Sequence, residues 1–244
     1  MKIFALSDLH LSLARPRRAG DTAPPVLYKP MDRFGLLWAD YFARLESSWL
    51  AQVGPQDAVL IAGDISWAMT LEQAQPDLDY IASLPGRKLL IKGNHDYWWQ
   101  SLSRVRQALD PSVQVLQHGA ADLGPALVCG TRGWLTPCHG EWRESEDRRL
   151  LERELLRLGM ALEEAVSLDP QGGRPLIAML HYPPLDEKGR PSPFCRLLEQ
   201  YRVSHCLYGH IHGDKKPAFE GLLHGVEYHN CSIDRLNFQP KRIM

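Results

Sequence analysis

The sequence is short of the features that mark the more specialised protein classes. Its five cysteines, Cys129, Cys138, Cys195, Cys206 and Cys231, are odd in number, irregularly spaced and form no CxxC pair. Neither a disulfide framework nor a zinc finger is expected, and the thiols read as reduced and mostly buried. No apolar run approaches the roughly 18 residues of a membrane span, so no membrane association is expected. Neither sign of charge dominates: 28 Lys and Arg stand against 29 Asp and Glu. That balance argues against nucleic-acid binding driven by bulk charge, while leaving room for a local basic surface. The opening MKIFALSDLH passes from a short apolar stretch straight into Asp8 and His10 without a small-residue cleavage site, so a cytoplasmic protein without a secretory leader is expected. There is no internal repeat and no low-complexity segment. A GxSxG elbow, a Walker A loop and an HExxH motif are all missing, which removes the sequence basis of the main rival hydrolytic machineries.

What is present is the composition of an ordinary globular protein, 44% hydrophobic and 23% charged over 244 residues, enough to bury a substantial core. Apolar runs alternate with amphipathic stretches, the pattern of an α/β fold. Strands are expected at Ile3–Leu6, Ala58–Ile61, Lys88–Ile91, Ala126–Cys129, Leu176–Leu180, His205–Tyr208 and Val226–Asn230. Helical spacing keeps one face apolar through Phe34, Leu37, Trp38, Tyr41, Leu45 and Trp49. It does so again through Leu71, Ala74, Leu78 and Ile81, and through Leu151, Leu155, Leu158, Leu162 and Val166 in the charged stretch from Arg143 to Leu168. Ser12–Arg33, Pro183–Pro193 and Gly213–Gly225 read as loops, the first two with four prolines each. No linker or shift in composition divides the chain, so residues 1–244 are expected to form one domain.

The chemistry lies at the ends of the apolar runs. Ile3–Leu6 is followed by Ser7-Asp8-Leu9-His10, Val59–Ala62 by Gly63-Asp64, and Leu89–Lys92 by Gly93-Asn94-His95-Asp96. Ile177–Leu180 is followed by His181, and Leu207-Tyr208 by Gly209-His210-Ile211-His212. Sites in open α/β sheets form at the carboxyl ends of strands, where such loops converge. Asp8 and His10 are two apart, as are His210 and His212, so each pair points to one side of an extended backbone. Imidazole, carboxylate and amide oxygen together suit manganese, iron, zinc, cobalt or nickel, and the absence of cysteine from the set argues against a structural zinc site. Each piece alone is weak, since a strand-end Asp is commonly a turn former and a lone His a core residue. Their co-occurrence at five run ends carries the argument. His118, His139, His205, His224 and His229 lack such company, although His139 and His224 could line the cleft.

In this combination Asp8-x-His10, Gly63-Asp64, Gly93-Asn94-His95-Asp96, His181 and Gly209-His210-x-His212 resemble the motifs of the calcineurin-like metallophosphoesterases, over residues 3 to about 212. Gly130-Thr131-Arg132-Gly133-Trp134 and His181-Tyr182-Pro183-Pro184 look like a bacterial subgroup of predicted phosphohydrolases. The resemblance implies a four-layer α/β/β/α sandwich, two mixed sheets face to face with helices outside. It implies one metal held by Asp8, His10, Asp64 and His212, and a second by Asp64, Asn94, His181 and His210, with Asp64 bridging. It also implies His95 as proton donor and phosphate contact, oriented by Asp96. Two cations so held clamp a phosphoryl group and acidify a water for in-line attack, with manganese or iron the favoured pair.

The departures from family pattern are informative. The Asp-Arg-Gly of the protein serine/threonine phosphatases is absent after Asp64, and Asp96 stands where they carry Glu, which lowers a phosphoprotein substrate. Tyr97-Trp98-Trp99 could stack on a base or pack inward to open a helix toward Leu109, and inward packing is the preferred reading. Arg132 could reach a substrate phosphate oxygen or close a surface salt bridge. Few cations lie near the motifs beyond Lys92 and Arg132, so a singly charged diester is favoured over a monoester, with Trp98 or Trp99 as a platform. The expected substrate is a small-molecule or nucleotide phosphoester. A phosphomonoesterase is the alternative, nucleic acid is less favoured, no obligate protein partner is expected, and a non-catalytic scaffold of the same fold is improbable with the ligand set complete.

Overall fold

Strands covered on both faces must be apolar throughout rather than alternating, and Ile3–Leu6 (β1), Ala58–Ile61 (β2), Leu127–Gly130 (β6) and Leu176–Met179 (β7) are buried at every position. The computed structural model describes residues 1–213 and 215–244. Arg87–Ile91 (β3) and Val113–Leu116 (β4) continue the first sheet, whose order is β11-β1-β2-β3-β4. All its neighbours are parallel except β11, Lys241–Arg242, which is antiparallel to β1. The second sheet has the order β5-β6-β7-β8-β10-β9. Its central strands β6, β7, β8 (His205–Tyr208) and β10 (Val226–Asn230) are parallel. The edge strands β5 (Gly119–Asp122) and β9 (Gly221–Leu223) are antiparallel to them.

The period-2 alternation of each strand sorts its side chains between two apolar layers. Ile3, Ala5, Leu60 and Ile91 of one sheet pack against Val128, Ile177, Met179 and Leu207 of the other. The outer face of the first sheet, with Phe4, Leu6, Val59 and Leu90, is covered by helices α1 (Tyr41–Gln52), α2 (Leu71–Ser83) and α3 (Leu102–Ala108) through Leu45, Trp49, Leu78, Ile81 and Val105. The outer face of the second is covered by α4 (Glu144–Ser167) and α5 (Pro193–Gln200) through Leu158, Leu162, Phe194 and Leu198. The molecule is thus an α/β/β/α sandwich of two mixed sheets with flanking helices. Among the described residues no helix is long and apolar enough to cross a membrane.

All seven expected strands form, within a residue at each end. Four others lie outside the expected strands; one of them, Val113–Leu116, is short but largely apolar. Gly119–Asp122 is small and polar, Lys241–Arg242 is two residues long, and Gly221–Leu223 lies inside Gly213–Gly225, read as a loop, of which residue 214 is outside the described residues. The apolar face running from Phe34 to Trp49 is not one helix. Gly35 at φ 124° and Asp40 in the left-handed region split it into two short 3-10 turns and α1, leaving Phe34 and Leu37 exposed. In α4, Ala165 packs inward and Val166 faces solvent. The helix expected from Tyr97 begins at Leu102, where the Ser101 hydroxyl accepts from the amide of Arg104. α5 follows the proline-rich loop, with Pro193 at its start and Ser192 capping it.

Candidate metal centre

The five motif-bearing loops leave the carboxyl ends of β1, β2, β3, β7 and β8 and meet on one rim, and their backbones bend sharply to do so. Asp8, His10, Asp64 and His210 all take positive φ, between 46° and 72°, which costs an L-residue roughly 1–2 kcal/mol each. Strain of this kind, concentrated where ligand-type side chains converge, is held in place by the surrounding packing. Ser7 helps, donating from its hydroxyl to the Ala62 carbonyl at 3.0 Å.

Asp8, His10, Asp64 and His181 are buried, while Asn94, His95, His210 and His212 are half-buried and form the solvent side. On one flank His212 Nε2 lies 3.3 Å from Asp8 Oδ1 and 3.4 Å from His10 Nε2. On the other, Asn94 Oδ1 lies 2.7 Å from His181 Nε2 and 2.9 Å from His210 Nδ1. Asp64 Oδ2 stands between them, 3.8 Å from His10 Nε2 and 3.6 Å from His181 Nε2.

The donor set fits cations. The Ala62 carbonyl accepts from His181 Nδ1 at 2.9 Å, so in the neutral ring Nε2 carries a lone pair. Burial pushes the His181 imidazole down to about 4, so the ring is neutral at pH 7. Its lone pair then faces the oxygens of Asn94 and Asp64, an arrangement of acceptors that a positive ion relieves. His210 is likewise lowered, to about 3, by burial and the neighbouring His181. His212 goes the other way. Burial opposes its charge, but hydrogen bonds to Asp234 and Asp8 outweigh that and raise it to about 10, so a proton sits where a cation would. Burial, with Asp8 and Asp96 nearby, raises the Asp64 carboxyl well above the usual range, which an ion at Oδ2 would reverse.

His95 is positioned by its backbone, whose N–H donates to Asp64 Oδ1 at 2.8 Å. Its ring lies 4.7 Å from the Trp67 ring, and Trp67 is stacked on His10 at 4.5 Å. Burial and the nearby Lys29, whose ammonium sits 3.2 Å over Trp67, lower the His95 pKa. Asp96, expected to orient His95, is held within the two loops that carry Asp64 and Asn94. Its oxygens accept from the amides of Ile65 (2.8 Å), Ser66 (3.2 Å) and Gly93 (2.7 Å) and from Trp98 Nε1 (2.9 Å). It ties the loop bearing Asp64 to the loop bearing Asn94, and no hydrogen bond to the His95 ring is present among the described residues. Trp98 and Trp99 are buried in the helix-side core, which removes them as a base platform; Tyr97 is the exposed member, its ring 6.1 Å from His95. The Arg132 guanidinium lies over Trp134 at 4.4 Å and lines a separate cavity with Lys92, Arg153 and Arg157. His139 bonds the Leu185 carbonyl and His224 pairs with Glu199, so neither joins the converging ligands.

Several neighbours of the centre were not expected. Asp234 takes a hydrogen bond from His212 Nδ1 at 3.1 Å and from the Gly213 amide at 2.7 Å. The Ser232 hydroxyl donates to Asp8 at 2.9 Å. Both follow the end of β10, a sixth strand end whose polar residues Asn230, Ser232 and Asp234 are the signal available in sequence. Lys29 and Trp67 carry no such signal, because loops bring them in.

A family model described as calcineurin-like phosphoesterase matches residues 1–214. The chain is similar to the Gene 66 proteins of two mycobacterial phages. It is 36% identical over 94 residues to that of phage D29, 38% of this chain and 40% of the relative, and 46% identical over 90 residues to that of phage L5, 37% of each. The matched region therefore spans about two fifths of the curated relatives' length. Two solved structures share the fold: the phosphopantetheinyl hydrolase of Mycobacterium tuberculosis, with TM-score 0.51 and 14% identity over 100% of this chain and 95% of that one, and a protein of unknown function from Aquifex aeolicus, with TM-score 0.50 and 13% identity over 99% and 95%.

Proposed function

From the premise that this chain belongs to the calcineurin-like phosphoesterase family, and is therefore a metal-dependent phosphoester hydrolase, we propose that it works through two cations that share Asp64. The observation that carries this reading is the position of Asp64 Oδ2, 3.8 Å from His10 and 3.6 Å from His181. Asp8, His10, Asp64 and His212 would hold one ion, and Asp64, Asn94, His181 and His210 the other. When bound, such a pair supplies Lewis-acid polarisation of the phosphoryl group and acidifies a water. An oxygen and nitrogen donor set without thiolate suits manganese or iron.

The chain's own residues do the rest. The Ala62 carbonyl and Asp234 fix the tautomers of His181 and His212 so that both Nε2 atoms face inward. Asp96 holds the two central loops in register. His95, half-buried beside Asp64, would give a proton to the leaving oxygen. Lys29 adds a cation over Trp67 at the same edge.

The preference for a diester rests on a shortage of cations near the site. Lys29, over Trp67 at the cleft edge, lessens that shortage, so charge no longer separates the ester classes. The test is turnover of p-nitrophenyl phosphate and bis-p-nitrophenyl phosphate by manganese-loaded protein, with the chelated protein as control. Chelator-sensitive hydrolysis of either is expected. Two bound equivalents with no hydrolysis of any phosphoester would leave a non-catalytic metal-binding scaffold instead.

A further inference from the structure

Beside the metal centre, on the β4/β6 side of the same rim, four cations surround a cavity of about 200 Å³: Lys92, Arg132, Arg153 and Arg157, with Thr131 and Gln117 completing the wall. One acid answers them. Glu154 is fully buried and its Oε1 takes Arg153 at 3.1 Å and Arg157 at 2.8 Å, while its other oxygen accepts from the Thr131 hydroxyl. Arg132 is spread over Trp134, and Lys92 reaches the Trp99 carbonyl at 3.3 Å. With Glu154 shared between Arg153 and Arg157, Lys92 and Arg132 have no ion pair among the described residues, and the pocket keeps an excess of positive charge. Planar guanidinium forks and an ammonium around a space of this size are matched by a tetrahedral oxyanion.

The pocket shares its walls with the centre. The Arg132 carbonyl accepts from the His181 amide at 2.9 Å, and Lys92 is two residues before Asn94, within about 7 Å along the chain. Contacts of 4.4, 5.0 and 4.4 Å run in series from the Arg132 guanidinium through Trp134 and Tyr182 to the His210 ring. We propose that this pocket binds a second phosphoryl group of the substrate, so that the enzyme prefers phosphoesters carrying another phosphate beyond the one cleaved. The proposal rests on the hydrolase reading above.

The test compares a nucleoside monophosphate with the corresponding nucleoside bisphosphate, using metal-loaded wild type and the Arg153→Gln/Arg157→Gln variant. The expected result is a kcat/KM at least about tenfold higher for the bisphosphate, the scale of one charge-assisted hydrogen bond, with the ratio falling to near one in the variant and monophosphate turnover unchanged. Gln117→Glu, which adds a negative charge at the wall and removes no ion pair, should act alike if the double variant folds poorly. A ratio that the variants leave unchanged overturns the proposal. Inorganic phosphate provides an arm that needs no turnover: it should raise the melting temperature of wild type more than that of the variant. Equal shifts overturn the pocket even where hydrolysis is normal, whereas unequal shifts without any hydrolysis refute the hydrolase reading and keep the anion site. Unequal shifts with no gain for the bisphosphate refute the substrate assignment in favour of a free anion.

A different observation carries a second inference. At the opposite end of β8, roughly 13 Å from Gly209 at about 3.3 Å per residue, the parallel register sets His205 beside Glu227, and His229 follows two residues later on the same face. His205 Nδ1 lies 3.1 Å from His229 Nε2 and 3.3 Å from Glu227 Oε2, and His229 Nε2 lies 3.9 Å from the same oxygen. These three atoms could hold one ion. Bonds of about 2.0–2.1 Å to a tetrahedral ion require ligand atoms about 3.3 Å apart, and the catalytic-side ligands converge at similar spacings. The structure assigns to His205, Glu227 and His229 a third, separate transition-metal site that staples β8 to β10.

Zinc content after loading and desalting checks it. His205→Ala should lose one equivalent relative to wild type, with phosphoester turnover unchanged and a lower melting temperature in zinc. Glu227→Ala, at an exposed position, repeats the measurement should the histidine variant fold poorly. Unchanged zinc stoichiometry in both overturns the site.

Discussion

The Cα of Gly93 lies against the carboxylate of Asp64, so close that a methyl group added at residue 93 would overlap both Asp64 Oδ1 and the Asp64 amide. The contact sets the spacing between the loops after β2 and β3, and hence the position of the oxygen that stands between the two ligand flanks. Gly93→Ala should move that oxygen. Activity is expected to fall at least about 100-fold, with stability reduced by about 1–3 kcal/mol from overpacking. Kinetics and denaturant melts on the same preparation check it; wild-type kcat would show that the loops can yield.

Asp64→Asn should lose more metal than a change at a ligand serving one ion. Elemental analysis is expected to give markedly fewer than two equivalents and turnover near zero. A variant retaining both ions and full activity would take Asp64 out of the bridging position.

His95→Gln should keep both ions yet slow hydrolysis, with a defect that grows as the leaving group becomes more basic. A series of substituted phenyl and alkyl phosphates measures the slope. Equal defects for p-nitrophenol and simple alcohols would exclude proton donation by His95.

Asp234→Ala removes the partner that orients His212. Loss of such an outer hydrogen bond typically weakens metal binding about 10–100-fold, and the expectation here is the same, read by competition with a chromophoric chelator. Because Asp234 also holds the Gly213 amide, Asp234→Asn should recover part of the loss.

Asp77 offers a pH test away from the centre. Its carboxyl is fully buried, accepting from the Leu13 amide and the Ser66 hydroxyl, and burial pushes it up to about 7. A folded value above the unfolded one means that the native state binds the extra proton between about pH 4 and 7. This contribution to stability is therefore fully present below about pH 4 and lost as pH rises through 7. The slope from this group is at most about 1.4 kcal/mol per pH unit. Asp77→Asn should flatten that part of the stability profile measured by urea denaturation, and an unaltered profile would show that Asp77 stays ionised.

How much was legible in sequence follows the range of the forces involved. Ile3–Leu6, Ala58–Ile61 and Leu176–Met179 announce themselves because strands buried on both faces must be apolar at every position. Lys241–Arg242 and Gly119–Asp122 are strands only because a neighbouring strand offers them an edge to pair with. The helix expected from Phe34 fails at Gly35 and Asp40, where backbone conformation overrides an apolar period.

The motif residues Asp8, His10, Asp64, Asn94, His181, His210 and His212 could be picked out from sequence because each ends a strand, and a parallel sheet carries such ends to one rim. Their identity and order along the chain were enough to indicate the chemistry. Tertiary structure alone decided which atoms face which: that Asp96 grips amides rather than the His95 ring, that Trp98 and Trp99 turn into the core, and that Asp234 and Lys29 reach the centre. It also brought Arg153 and Arg157 from α4 to Lys92 and Arg132. Strand-end position is a local property written in the chain, whereas side-chain partnership depends on packing between segments more than 200 residues apart, as with His10 and His212, and no local pattern encodes it.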